Sequence, residues 1–282
     1  MTDAFTRTLL PLDFSPASEA LLDVAAYISV KYGSEIVLAH VIEESLIEHA
    51  ASGYNVTGLL ESVEKEARRK LEAYRDRLEE AGARVSIHRD MPVADPAVAI
   101  SSIASEEGVS EVLIVNKGWG WRRLVPFGST AKLVIASSPK PVIRIRAVKV
   151  EKKIILEWPD NPFHSILVAL APDSKAEMVE YVASIAEKTS SDVILLHVGE
   201  EEPREPQVVS QAHDILRERG VNARKMVIAG KPHARIVEVA EQLGVTSIVL
   251  GRSLRSRLTD IVFGSTLYRV VAEARIPVIV YP

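Results

Sequence analysis

Two stretches hold the residues best suited to chemistry. Residues 115–134 read VNKGWGWRRLVPFGSTAKLV, and residues 250–271 read LGRSLRSRLTDIVFGSTLYRVV. Each closes a basic loop with the tetrapeptide FGST and continues into an apolar helical pattern. Ser129-Thr130 and Ser265-Thr266 would then stand at a helix start, where unpaired backbone N–H groups and the positive end of the dipole attract phosphate. A hydroxyl at that place can donate to a phosphate oxygen. Gly128 and Gly264 would let the oxygen approach the backbone with no Cβ in the way. The same residues also fit an ordinary Ser N-cap after a Gly turn. A duplicated N-cap would look the same, so both readings stand at this point.

Other reactive side chains are scattered. Arg122 and Arg123, with Arg252, Arg255 and Arg257, could pair with distal phosphates or simply be solvated. Trp119 and Trp121 flank Gly120 and could lid a base or pack on a neighbour. His40 and His197 hold matched positions, but no further His, Asp or Glu has ligand spacing around them, which favours satisfied near-core histidines over a metal site. There is no nucleophile elbow, no G-x-x-x-x-G-K-[ST] loop and no kinase motif set. A hydrolase needs a positioned base or water-orienting group beside its phosphate cradle. The residues therefore argue binding more than turnover, with weak ATP hydrolysis at most.

The elements that must position these loops come in two sets. The FGST sites lie 136 residues apart, and Pro141-Val142-Ile143 matches Pro277-Val278-Ile279 at the same offset. Nearer the front, KYGSEIVLAHV (31–41) matches KTSSDVILLHV (188–198) at an offset of 157. A period this long is a tandem domain duplication rather than a solenoid. In the first copy RTLLPLDF is a strand running onto Ser15, a good N-cap for the helix that follows. EIVLAHVI, RVSIHRDM, SEVLIVNK and PVIRIRAV are further strands, separated by helices over 59–82, 96–108 and 129–138. The second copy repeats the order over 165–281. Alternating β and α with continuous apolar strands predicts two tandem doubly wound domains, each a five-stranded parallel sheet with helices on both faces. The expected boundaries are 1–148 and 163–282, with 149–162 as a charged, then Pro/Asn/Asp-rich linker.

The bulk composition narrows the class. The 282 residues carry a net charge of −4, and 47% are hydrophobic. No global positive field draws such a chain to nucleic acid or membrane. There is no cysteine, which excludes disulfides and thiolate chemistry. No signal peptide and no apolar run long enough for a membrane span is read. A soluble cytoplasmic protein is expected.

Over about 5–147 and 163–282 the sequence resembles a tandem universal stress protein. The family pattern after strand four is Gly, two residues, Gly, nine residues, Gly, then Ser or Thr. Copy one gives Val115, Gly118, Gly128 and Ser129 at these places, lacking the first glycine. Copy two gives Gly251, Leu254, Gly264 and Ser265, lacking the second. The resemblance implies a Rossmann-like fold of the adenine nucleotide alpha hydrolase type, binding AMP or ATP, with or without magnesium. It assigns phosphate and ribose to Val115, Gly118, Gly128, Ser129 and Thr130, and to Gly251, Gly264, Ser265 and Thr266. Asp13, beside Pro11 at the end of the first strand, would accept from ribose hydroxyls. Copy two has Ala171 there, or Leu170 if no gap is allowed, and Asp173 would cap the next helix. Backbone groups of Val41 and Val198 would read adenine. Copy one keeps Asp13 and is the better purine-nucleotide site. The resemblance further implies that the two domains pair within the chain through their final strands, with a homodimer of chains compatible with it.

Overall fold

The computed structural model describes residues 3–44, 56–117, 128–199, 204–252 and 264–282. The chain divides into two compact units, one mainly Phe5–Val115 with Ser129–Lys140, the other mainly Pro141–Pro282.

The first unit runs β1 (Arg7–Pro11), α1 (Pro16–Tyr32), β2 (Glu35–Ala39), β3 (Ile42–Glu43), α2 (Val56–Glu80), β4 (Arg84–Ile87), β5 (Val93–Ala94), α3 (Pro96–Glu106), β6 (Glu111–Lys117) and α4 (Ser129–Ser137). Its main sheet has the order β4-β2-β1-β6, all parallel, with Leu10 opposite Leu38 and Leu9 opposite Val112. Leu9, Leu10, Ile36, Leu38, Val112 and Leu113 are fully buried, as continuous apolar strands covered on both faces must be. Local chemistry sets the helix limits. The Ser15 hydroxyl accepts from Ser18 N (3.3 Å) and Pro16 follows at the first helical position, so α1 starts where the sequence places it. Gly33 ends it in the left-handed conformation, at φ 76°. Asp95 caps α3 by accepting from Ala97 N and Val98 N.

The second unit begins with β7 (Val142–Val150) and β8 (Lys153–Glu157), then β9 (Ser165–Leu170), α5 (Ala176–Thr189), β10 (Asp192–Gly199), α6 (Gln207–Glu218), β11 (Ala223–Ala229), α7 (Pro232–Leu243), β12 (Ser247–Gly251), α8 (Ser265–Glu273) and β13 (Val278–Tyr281). Strands β11-β10-β9-β12-β13 are parallel. On β13, strand β7 pairs antiparallel, with Ile279 opposite Ile143.

One local expectation, the cap on Asp173, needs correction, and one segment carries more structure than its composition suggests. The segment read as a linker contains β8, which pairs antiparallel with the end of β7 from Arg146–Glu157 to Val150–Lys153. Its Ile154-Ile155-Leu156 run supplies the β propensity that the flanking charges mask. Asp173 is not the cap of the following helix. Residues 171–174 form a turn, with Ser174 N donating to Ala171 O (3.0 Å) and Ala171 N to Ser174 Oγ (2.9 Å). The helix α5 begins later, with Lys175 at its N-cap.

Candidate functional site

In a parallel sheet the carboxyl ends of the strands and the helix starts that follow them surround one crevice. In the first unit that crevice is a cavity of about 300 Å³. Pro11, Asp13, Val41, Val115 and Thr130 all line it. Gly128 and Ser129 precede Thr130 at the start of α4 but lie outside this lining, and Gly118 lies outside the described residues.

Asp13 is presented by a strained turn. Its Oδ1 accepts from Ser15 N at 3.0 Å, and Phe14 between them has φ 57°, a conformation costly for a bulky residue. Phe14 is held there by packing on His40, with ring centroids 4.4 Å apart, and by the Lys70 ammonium 5.0 Å from its ring centre. His40 in turn places Nδ1 2.7 Å from Leu12 O. A carbonyl only accepts, so Nδ1 carries the proton and the other ring nitrogen is an acceptor in the neutral ring. Burial pushes the His40 imidazole below its usual range, although the Leu12 carbonyl and the Asp13 carboxylate pull the other way. His40 thus pins the peptide next to Asp13 while lining the crevice itself.

The second unit repeats this frame. His197 Nδ1 lies 2.9 Å from Leu170 O, which makes Leu170 the counterpart of Leu12 and settles the strand alignment. Ala171 therefore stands where the first unit has Asp13. Pro172 replaces Phe14, and its ring forbids the positive φ that presents Asp13. The crevice here is about 390 Å³, and Val198, Gly251, Gly264, Ser265 and Thr266 all line it. Gly264 is the N-cap of α8, with φ −53° and no side-chain cap bond, so Ser265 is not a capping serine but the first helical residue. A Cβ on Gly128 or Gly264 would meet no atom within 4 Å, leaving open space beside both helix starts.

What the arrangement offers is a carboxylate acceptor, apolar walls and a helix N-terminus in the first unit, and apolar walls with a hydroxyl-bearing helix N-terminus in the second. No group of three metal-ligating side chains occurs among the described residues, and no described helix is long and apolar enough to cross a membrane. Sequence reasoning missed Phe14 as part of the site. A positive φ on an aromatic residue has no sequence signal, though its place between Asp13 and a capping serine marks a turn.

Comparison with known proteins agrees with this frame. The chain is 32% identical over 162 residues to universal stress protein MJ0577 of Methanocaldococcus jannaschii, covering 52% of this chain and 98% of that protein. It is 26% identical over 113 residues to the stress response protein NhaX of Bacillus subtilis, covering 39% of this chain and 68% of that one. A crystal structure of a universal stress protein from Archaeoglobus fulgidus superposes with a TM-score of 0.78 at 21% identity, over 99% of this chain and 98% of the other. The model of the universal stress protein family matches twice, at residues 4–146 and 162–282, and the chain belongs to that family as a tandem member.

Proposed function

We propose that this protein binds adenine nucleotides, AMP or ATP, as a regulatory or stress-response protein, and that the first crevice is its better site. The observation that carries the reading is the convergence of Asp13, Val41 and Thr130 on one cavity of about 300 Å³. A carboxylate at a strand end accepts from the two ribose hydroxyls. Backbone groups near Val41 can pair with an adenine edge, and the α4 start attracts the phosphate. Apolar neighbours such as Ile100 and Ile114 suit the faces of a purine. In the second crevice the carboxylate is absent at the matching position, while Ser265 and Thr266 keep the phosphate end. The repeats 1–148 and 163–282 then act as two nucleotide modules paired within one chain.

The test is to denature protein purified without added nucleotide and identify what is released by chromatography and absorbance. Stoichiometric adenine nucleotide supports the reading. If nothing is released, and added AMP and ATP give no heat of binding, the chain is an interaction scaffold instead.

A further inference from the structure

Strands β7 and β8 form a hairpin closed by the two-residue turn Glu151-Lys152, with Glu151 in the left-handed region at φ 53°. Among the described residues β8 pairs with β7 and with no other strand, so its outer edge has no strand partner there. In a two-residue hairpin the residues flanking the turn, Val150 and Lys153, exchange both backbone hydrogen bonds, and the pattern alternates along the ladder. Lys153, Ile155 and Glu157 therefore aim their backbone groups at β7, while Ile154 and Leu156 aim theirs outward. Leu156 O accepts from Trp158 N (3.0 Å), which leaves that carbonyl a second lone pair. Such an edge is a template for another strand.

The side chains say which strand fits. β8 reads Lys-Ile-Ile-Leu-Glu, a cation at one end, an anion at the other and Ile155 at the centre. Laid antiparallel on a second copy of itself about Ile155, it sets Lys153 opposite the partner's Glu157 at both ends. The outward groups of Ile154 then meet those of the partner's Leu156, and twofold symmetry makes that four main-chain hydrogen bonds. Moving the centre to Ile154 or Leu156 keeps the hydrogen-bond phase but sets a charged residue against Ile155.

Exposed apolar surface lies at the same place. Ile155 is 47% exposed and Val150 50%, although both are β-branched residues in strands. Val148 stands opposite Ile155 on β7, so the pairing builds one apolar row from Val148 and Ile155 to the partner's Ile155 and the partner's Val148. Glu157 can take the incoming ammonium. Arg146 lies 3.4 Å from it, yet Glu157 Oε2 has no hydrogen-bond partner among the described residues.

We propose that β8 is a self-association edge, through which two copies of the chain join antiparallel about a twofold axis at Ile155. No residue of β8 lines either crevice, so this dimer and the nucleotide reading stand or fall separately.

The chain has no cysteine, so Ile155→Cys introduces its only thiol. A residue on the axis, in a non-hydrogen-bonded pair, has its Cα about 4.5 Å from that of its mate, within disulfide reach. The full-length variant should oxidise to a covalent dimer on non-reducing gels. Val150→Cys, equally exposed but two residues along from the axis and on β7, should not. In sedimentation velocity over a dilution series the unmodified chain should pass from dimer to monomer. Ile155→Glu sets two carboxylates face to face, and Lys153→Glu sets one against the partner's Glu157 at each end. Each should raise the dissociation constant about tenfold or more. An unmodified chain that is monomeric at every concentration overturns the proposal. So does a dimer that either substitution leaves intact, or a thiol at position 155 that cross-links no faster than one at 150.

Discussion

Asp13 does not reach the crevice by virtue of its position alone. It ends a strand whose next residue is forced into the left-handed region, and Phe14 stays there because His40 and Lys70 pack against its ring. Asp13→Ala should leave the fold intact, since the side chain is exposed and a strand-end carboxylate supports no core. It should weaken AMP binding at the first site by about 1.5–3 kcal/mol, the worth of hydrogen bonds to a charged acceptor, read by calorimetry. Unchanged affinity would remove Asp13 from the site. His40 gives a second test. Its folded pKa lies below the unfolded value, so the unfolded chain binds more protons as pH falls through the ordinary imidazole range. Its contribution should cost stability as pH drops from the unfolded pKa to the folded one, and level off below. His40→Gln should flatten that slope in pH-dependent denaturation, and NMR titration of the His40 ring should show the lowered midpoint. The place of Asp13 at the crevice was an expectation of the family resemblance alone, and its side chain lines that cavity. The geometry that aims it was not legible in the sequence, because it depends on packing between residues 14, 40 and 70.

At the scale of elements, the caps and strands were readable wherever local chemistry decides. Ser15, Pro16 and Gly33 bound α1 in the structure as their residue types demand. Where tertiary packing decides, the sequence is silent. The PVIRIRAV segment reads as a strand, yet nothing in it says that Arg144 is fully buried. The guanidinium lies under the end of α8, donating to Ala274 O (3.1 Å), Ile276 O (3.4 Å) and Val271 O. Val271 O and Ala274 O are carbonyls that a helix end leaves without intrahelical partners, at the end where its dipole favours a cation, and Ile276 lies just beyond the helix. Burial and the nearby Arg146 push the Arg144 pKa down to about 9, so it remains charged at neutral pH. Arg144→Met should therefore strip two buried carbonyls and one part-buried carbonyl of their donor and cost about 3 kcal/mol. Urea denaturation should show this as a lower midpoint at unchanged slope. A loss below about 1 kcal/mol would mean that the carbonyls find other donors.

At the scale of the molecule, duplication and the parallel order of each repeat were visible in the offsets of matching motifs. The pairing of the two final strands could be expected only from the family resemblance and not from the offsets, because a repeat boundary records how a sequence was copied and a compact unit records what packs with what. Strand β7 comes from the first repeat, but it lies in the unit Pro141–Pro282, where its residues 142–144 pair antiparallel with 278–280 of β13. Its continuation holds β8, and Arg146 there lies 3.4 Å from Glu157, so the whole segment from 141 to 157 is anchored in that unit. A fragment cut at the repeat boundary, 163–282, would expose the edge of β13 with Val278, Ile279 and Val280, all buried in the full chain. It would also leave the α8 carbonyls without Arg144. An unpaired apolar edge strand is a template for association. A fragment begun at 141 keeps β7 over that edge, with β8 paired to the far end of β7. The longer fragment should melt cooperatively and run as a single species by light scattering, while the shorter one should melt lower and aggregate. If both fragments melt at the same temperature and stay equally dispersed, β7 contributes nothing to the stability of the second unit, and the repeat boundary is also its folding boundary.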